Sequence, residues 1–500
     1  MLKPVLPVLL ADGYKIGHPF QYAPDTTCVY SNLTPRSTRV PGVTDVVTFG
    51  PQYFVLEYLV RQFSENFFQR PKDDVLRAYR RRIDHYLGPI SVDHIAALHE
   101  LQHLPLHVKA LPEGTLCPLR VPYLTIRNTH EQHPEFFWLT NAVETLMSNI
   151  LWLPITSATT AFGYRRKFET SARATGASLD FVKWQGHDFS FRGMACVEAA
   201  MLSGAAHLLS FTGTDTIPAI DLLEQYYGAD CELELIGGSV PATEHSVMSM
   251  GRQDGETETF RRLICDVYPK GIVSIVSDTW DFWNVLTQIL PSLRTDVLVR
   301  EGKVVIRPDS GDPVKIICGD PDSSVECVRK GAVECLWDTF GGTINRAGYK
   351  ELDPHIGLIY GDSISPARQE AILTGLMEKR FASSNVVLGI GSYTYNYVTR
   401  DTHGQAMKAT YGETRSLGPQ AIFKAPKTDD GTKNSAKGLL CVETGADGRL
   451  VLREEVSWAE EDGGALQTIF LDGEAHNLQT LAQIRARIDA AVEAEWAVPA

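Results

Sequence analysis

The feature that most constrains this chain is a recurring pattern in which a short aliphatic run stops abruptly at a charged or small polar group. Val304, Val305 and Ile306 run into Arg307, and Asp309 follows between Pro308 and the Ser310-Gly311 turn, in the stretch VVIRPDSGDP. Ile272–Val276 leads into Ser277-Asp278, Ile356–Tyr360 into Gly361-Asp362, and Val386–Leu388 into Gly389–Ser392. Runs of this length and composition read as buried strands. One alone is compatible with a strand and an ordinary polar turn; four in succession set a theme. Amphipathic helices at roughly Trp280–Leu293, Val325–Phe340 and Pro366–Arg380 alternate with them, which implies a parallel sheet. Polar groups at successive strand ends point to a (β/α) barrel, because a barrel gathers those loops on one face. A doubly wound open sheet is the competing architecture.

The α/β pattern begins near Ser157. A helix over Ala161–Ala174 leads to an apolar strand, Leu179–Trp184, and a polar cluster, His187–Gly193. A helix over Met194–Gly204, a strand over Ala206–Phe211 and a second cluster, Thr212–Thr216, follow. The first part of the chain is mixed, with helices over Asp73–Leu87 and Glu135–Ile150 and strands near Leu104–Leu111 and Leu119–Ile126. The last part has hairpin-like strands (Gly438–Arg453), a lysine-bearing loop (Lys424–Lys437) and a final helix (Leu478–Trp496). The expected division is therefore an N-terminal mixed α+β part over 1–155, an α/β barrel with the active site over 156–400, and a C-terminal part over 401–500 that packs with the N-terminal region.

Composition narrows the function classes. A formal charge of −14 argues against general nucleic-acid binding, which wants a basic surface. No apolar run reaches the roughly 18 residues needed to span a bilayer. The opening MLKPVLPVLLADGYK is interrupted by two prolines and reads as a strand or extended arm, not a signal peptide. Nine cysteines without a C-x-x-C pair fit reduced thiols in a cytoplasm better than a disulfide framework or a zinc site.

The strand ends carry the chemistry. Asp278, Asp309 and Asp362 are hard oxygen donors suited to Mg²⁺, to ribose hydroxyls or to a catalytic proton. Capping of the following helix is the ordinary alternative for each. Leu388–Thr394, LGIGSYT, has the small residues that let backbone N–H groups reach phosphate oxygens, and Arg400 and Lys408 follow as cations. Arg36, Lys424 and Lys433 are further basic candidates. In HDFSFRGM, one of Phe189 and Phe191 could stack on a flat heteroaromatic ring while Arg192 or Asp215 bonds its substituent; core packing is the alternative for each Phe. His245, in SVPATEHS, is a candidate acid, base or phosphate acceptor, or a hydrogen-bonded structural histidine. No G-x-S-x-G, H-E-x-x-H, Walker or G-x-G-x-x-G signature stands in the required context. These parts together suit a flat ring, a ribose and phosphates across a barrel mouth.

ADGYKIGH, HDFSFRG, FTGTD, SVPATEHS, SIVSD, IRPDSGDP and YGD resemble, in that order and over essentially the whole chain, segments of nicotinamide phosphoribosyltransferases, a type II phosphoribosyltransferase family. The resemblance implies a homodimer with active sites at its interface and an irregular α/β barrel. It implies transfer of the phosphoribosyl group of 5-phosphoribosyl 1-pyrophosphate to nicotinamide, giving nicotinamide mononucleotide and pyrophosphate, with Mg²⁺ assisting. Phe189 would stack on one face of the nicotinamide and Tyr14 of the second protomer on the other. Arg192 and Asp215 would address the carboxamide, with Ser239, Val240 and Ser274 lining the pocket. An acceptor carboxylate at Asp215 takes a hydrogen bond from an amide and repels the carboxylate of nicotinate. Asp309, Gly361 and Asp362 would hold the ribose hydroxyls, Arg307 the phosphoribosyl group, and Gly391 and Ser392 the 5′-phosphate. Arg36, Arg400, Lys408, Lys424 and Lys433 would surround the pyrophosphate. His245 matches a histidine that family members phosphorylate with ATP as a coupled co-substrate. This chain has Gly391-Ser392-Tyr393 where vertebrate members carry a triple-glycine turn. The rivals are a nicotinate or quinolinate phosphoribosyltransferase and a non-catalytic binding protein on the same scaffold. An unrelated barrel aldolase or isomerase lacks the strand-end lysine it would need.

Overall fold

The computed structural model describes residues 5–361, 363–425, 428 and 435–497; Asp362 and Lys433 lie outside the described residues. The chain divides into two compact units, one of Thr160–Leu222 and Asp230–Tyr397, the other of Met1–Thr159, Leu223–Ala229 and Val398–Ala500.

The first of these is built on a six-stranded parallel sheet in the order Gly213–Thr214, Gly186–Asp188, Val386–Ile390, Ile356–Tyr360, Glu301–Arg307, Lys270–Val276. The aliphatic positions of these strands, among them Val273, Ile275, Val304, Ile306, Leu358, Leu388 and Ile390, lie in one buried cluster with the helix residues Leu286, Leu336 and Leu373. Near-continuous Val, Ile and Leu is what a parallel strand needs when both faces are covered. The two edges of the sheet do not stay open. Gly238 pairs in parallel with Gly213 on one edge, and Ala242 with Ser274 on the other. Thr214 N–H donates to Gly238 O (3.0 Å), Gly238 N–H to Thr212 O (2.8 Å), Ser274 N–H to Pro241 O (2.8 Å) and Thr243 N–H to Ser274 O (3.0 Å). The segment 238–243 thus closes the sheet into an irregular barrel whose members follow one another in chain order. The open-sheet alternative is excluded by this seam.

The register carries the strand ends to one rim. Val276 pairs with Arg307, Tyr360 with Leu388, Ile390 with Asp188, and Asp188 with Thr214. The residues that follow each strand, including Asp278, Asp309, Gly361, Gly391, Phe189 and Asp215, therefore emerge together. Helix caps come from elsewhere. Asp281 accepts from Trp283 and Asn284 N–H, Asp312 from Val314 and Lys315 N–H, and Ser365 from Arg368 N–H. Each cap lies three residues beyond a strand-end acid, so capping is not the task of Asp278 or Asp309.

Two expected strands are corrected. Leu179–Trp184 is part of a helix, Leu179–Gln185, and the strand is the three-residue Gly186–Asp188 that follows. Ala206–Phe211 is the end of the helix Val197–His207 and its following turn, with the strand at Gly213–Thr214. Both were short apolar runs, for which periodicity does not separate a strand from a buried helical turn. The helices placed over Glu135–Ile150 and Ala161–Ala174 share one continuous helix, Glu144–Thr175, despite Pro154. The N-terminal arm forms 3₁₀ turns at Pro7–Leu9 and Gly13–Gly17 rather than a strand.

The other unit is mixed α+β. Its seven-stranded sheet runs Gly418–Ala421, Gln405–Thr414, Thr26–Pro35, Leu124–Asn128, Leu106–Ala110, Gln467–Leu471, Glu474–Ala475. N- and C-terminal strands interleave, and the longest ladder joins Thr26–Pro35 to Gln405–Thr414 antiparallel. Its helices include Lys72–Tyr86, Asp93–Leu101 and Leu481–Ala497, and Leu440–Thr444 pairs with Leu450–Glu454 as the expected hairpin. Among the described residues no helix is long and apolar enough to cross a membrane.

Leu388 is fully buried in the barrel cluster. Leu388→Ala is expected to cost about 2–5 kcal/mol, and Asp312→Ala, which removes a helix cap, about 1 kcal/mol. Denaturant unfolding followed by circular dichroism checks the ranking; an Asp312 variant as damaged as the Leu388 variant would contradict it.

Candidate active site

A cleft of about 990 Å³ opens at the barrel rim, lined by Phe189, Arg192, Asp215, His245, Arg307, Asp309, Gly361, Gly391 and Ser392 among others. Nine of the sequence candidates thus share one site within one unit. Its walls depend on missing side chains. A Cβ on Gly389 would lie 2.6 Å from Phe189 Cδ2 and 2.9 Å from Gly361 Cα. One on Gly361 would lie 2.8 Å from Asp309 Oδ1, and one on Gly193 would lie 2.0 Å from Ser392 Oγ. These glycines let the aromatic, the acid and the Ser392 turn approach one another.

The base-binding end is organised around Asp215. Phe189 is half-buried and continues its strand, its N–H donating to Ile390 O (3.0 Å). The His187 ring packs beside it, centroids 4.5 Å apart and planes 37° apart. His187 Nε2 lies 2.9 Å from Asp215 Oδ1, and Ser239 Oγ donates to the same oxygen at 2.6 Å. Burial of Asp215 favours its neutral form, but the bonds from His187 and Ser239 and the charge of Arg307 outweigh it and hold the carboxyl below its usual range. The group is an ionised acceptor. Arg192 is exposed in the turn Phe191–Gly193. Val240 lies in the closing segment, half-buried, and Ser274 faces that segment, its buried Oγ without a hydrogen-bond partner among the described residues.

The acidic end is equally specific. Asp278 Oδ2 accepts from Asp309 N–H (2.8 Å) and Ser310 Oγ (2.6 Å), so one acid fixes the loop that carries the other. Asp278 is nearly buried, and its Oδ1 has no hydrogen-bond partner among the described residues; His245 Nε2 lies 3.9 Å from it. A buried carboxylate oxygen left over beside a second carboxylate suits a hard divalent cation. Arg307 donates from Nη2 to Thr243 O, which ties its guanidinium to the closing segment. His245 opens a short helix, His245–Met250, is half-exposed, and has Nδ1 at 3.2 Å from Thr279 Oγ1.

The basic candidates gather in the other unit. Arg36 donates from Nε to Gly404 O (3.3 Å), and Lys408 faces Asn32 across the long ladder. Both line a cavity of about 240 Å³ with Arg120. Burial lowers the proton affinity of Lys408, Glu144 opposes that, and the charges of Arg36, Lys424 and Arg400 lower it further. Arg36, Lys408, Lys424 and Arg400 thus form a local concentration of positive charge, with Glu144 near Lys408 and Asp401 beside Arg400 (3.5 Å) as opposing acids. Tyr14 belongs to the same unit, in the 3₁₀ turn Gly13–Gly17, its ring 64% exposed with Lys15 Nζ 5.3 Å above it.

Sequence reasoning gave no individual role to His187, Arg120, Gly193 or Gly389, although three of them lie in clusters it singled out. For His187 a signal existed: residues two apart on a strand share a face, so Phe189 on the site implied His187 beside it. Arg120 had none.

Residues 184–474 match the model of the nicotinate phosphoribosyltransferase (NAPRTase) family. A nicotinamide phosphoribosyltransferase of Acinetobacter baylyi is 52% identical over 496 residues, 96% of this chain and 97% of that protein. One from Mycoplasma pneumoniae is 35% identical over 86% of this chain and 94% of that protein. The crystal structure of nicotinate-nucleotide pyrophosphorylase from Pyrococcus furiosus superposes with a TM-score of 0.59 over 99% of this chain and 97% of that one at 13% identity, which establishes a shared fold. By the family model and by relatives that run nearly its full length, the chain belongs to the nicotinate phosphoribosyltransferase (NAPRTase) family.

Proposed function

We propose that the protein transfers the phosphoribosyl group of 5-phosphoribosyl 1-pyrophosphate to nicotinamide, forming nicotinamide mononucleotide and pyrophosphate in a cytoplasmic salvage route to NAD. The observation that carries the choice of base is Asp215, an ionised acceptor beside Phe189, because it accepts from an amide N–H and repels a carboxylate. The name of the 52% identical relative agrees.

In this reading the pyridine ring lies on Phe189, with Tyr14 of a second protomer on its other face, and Arg192 and Ser274 complete the carboxamide contacts. Asp309 and Gly361 take the ribose hydroxyls, a role Asp362 would share. Arg307 and the backbone N–H groups at Gly391 and Ser392 hold the 5′-phosphate end. The pyridine nitrogen lone pair forms the new bond to the anomeric carbon as the bond to pyrophosphate oxygen breaks, and both electrons of that bond leave with pyrophosphate. No proton moves and no enzyme nucleophile is needed. Orientation supplies roughly 7–11 kcal/mol in well-aligned reactions. Arg36, Arg400, Lys408 and Lys424, with Lys433, receive the departing anion. Asp278 and Asp309 would hold Mg²⁺, which when bound supplies further charge stabilisation to the leaving group. ATP would phosphorylate His245, whose ring opens onto the cleft, and couple its hydrolysis to product formation.

The direct test supplies phosphoribosyl pyrophosphate with nicotinamide or nicotinate, with and without ATP, and follows pyrophosphate and mononucleotide. Turnover with nicotinamide, raised by ATP, is expected; preference for nicotinate would refute the assignment. Asp309→Ala should reduce kcat by about 10²–10³-fold with unchanged unfolding, and near-normal turnover would remove Asp309 from the ribose site. Chelation of divalent cations should abolish turnover and added Mg²⁺ restore it; activity in excess EDTA would exclude the metal.

A further inference from the structure

We infer that His187 is a positioning residue for base selectivity: its Nε2–H and the Ser239 hydroxyl clamp one oxygen of Asp215, and this turns the second oxygen toward the substituent of a ring held on Phe189. The inference rests on the proposed reading of Phe189 and Asp215 and goes further, because it asks what holds that carboxylate in place.

An ionised carboxylate only accepts, so Nε2 at 2.9 Å from Oδ1 must carry the proton. Both the neutral Nε2–H tautomer and the imidazolium satisfy this, and only the Nδ1–H tautomer is excluded. Ser239 Oγ at 2.6 Å donates to the same Oδ1. Two donors on one oxygen leave Oδ2 as the oxygen presented to a ligand, and the side chain keeps 44% of its surface exposed. The donors come from different places: His187 from the strand Gly186–Asp188, Ser239 from the segment that closes the barrel. Asp215 itself is held from behind by its own N–H, which donates to Asp188 O (2.9 Å).

His187 cannot move away freely. It is 8% exposed, its ring lies against Phe189, and a Cβ on Gly213 would come within 2.7 Å of its Nδ1. One imidazole therefore touches both halves of the base site, the stacking ring and the selecting carboxylate. Loss of the donor frees Asp215 to rotate and weakens its hold on the amide. It also makes the protonated carboxyl, which can donate to a nicotinate carboxylate, easier to form.

Two variants separate hydrogen bonding from packing: His187→Gln keeps a donor without the ring, and His187→Phe keeps a ring without the donor. Steady-state constants are measured for nicotinamide, nicotinate and phosphoribosyl pyrophosphate, with thermal unfolding as a fold control. The Phe variant is expected to raise KM for nicotinamide about tenfold and to lower the ratio of kcat/KM for nicotinamide over nicotinate by about the same factor. Its KM for phosphoribosyl pyrophosphate should stay within about twofold, and the Gln variant should recover most of the loss. Ser239→Ala should shift the same ratio in the same direction. A damaged Gln variant beside a normal Phe variant would overturn the inference in favour of packing, and two normal variants would overturn it outright, with the function reading intact in either case. Wild-type protein inactive with nicotinamide would instead overturn the function reading, and this inference with it.

Discussion

The barrel seam is the contact on which the rest of the site depends. Four backbone hydrogen bonds along the segment 238–243 join two sheet edges that would otherwise be open. An open parallel edge exposes a row of unpaired donors and acceptors; here the edge is consumed, and the segment that consumes it brings functional groups with it. Ser239 reaches Asp215, Thr243 O receives Arg307, and His245 follows directly on the cleft. Closure and site assembly are one event.

Legibility in the sequence followed the physics of burial. Strands with three or more consecutive aliphatic residues were readable, because a parallel strand covered on both faces leaves little choice of side chain. Ile356–Tyr360 has the bounds read from its residues, and Val304–Ile306 is the buried end of Glu301–Arg307. The strands Gly186–Asp188 and Gly213–Thr214 were not readable. They are two or three residues long, Gly186 is needed to make room for the Phe211 ring, and their pairing is decided by distant partners. The closing segment, with proline and threonine in SVPATEHS, has no strand signature at all. Within the site, chemistry was more legible than support. Asp215, Phe189, Asp309 and His245 advertise themselves as residue types. The clamp on Asp215 and the anchoring of Asp309 by Asp278 depend on geometry that one-dimensional spacing does not contain.

The electrostatics of the site rest on one device used twice. At Asp215 two neutral-or-cationic donors converge on a single oxygen, and at Asp278 a backbone N–H and a hydroxyl converge on a single oxygen. At Asp278 the other oxygen has no hydrogen-bond partner among the described residues. Preorganised groups of this kind need little rearrangement when a ligand arrives, which is the condition under which electrostatic stabilisation is most effective.

The placement of each helix cap three residues beyond a strand-end acid has a historical consequence. Asp281 and Asp312 cap the helices, so Asp278 and Asp309 carry no capping duty, although Asp278 still anchors the loop of Asp309. Mutational drift can therefore explore the reactive positions without first unravelling the helices that follow them. A fold wired this way can exchange one reaction for another by small steps, each intermediate remaining a folded protein on which selection can act.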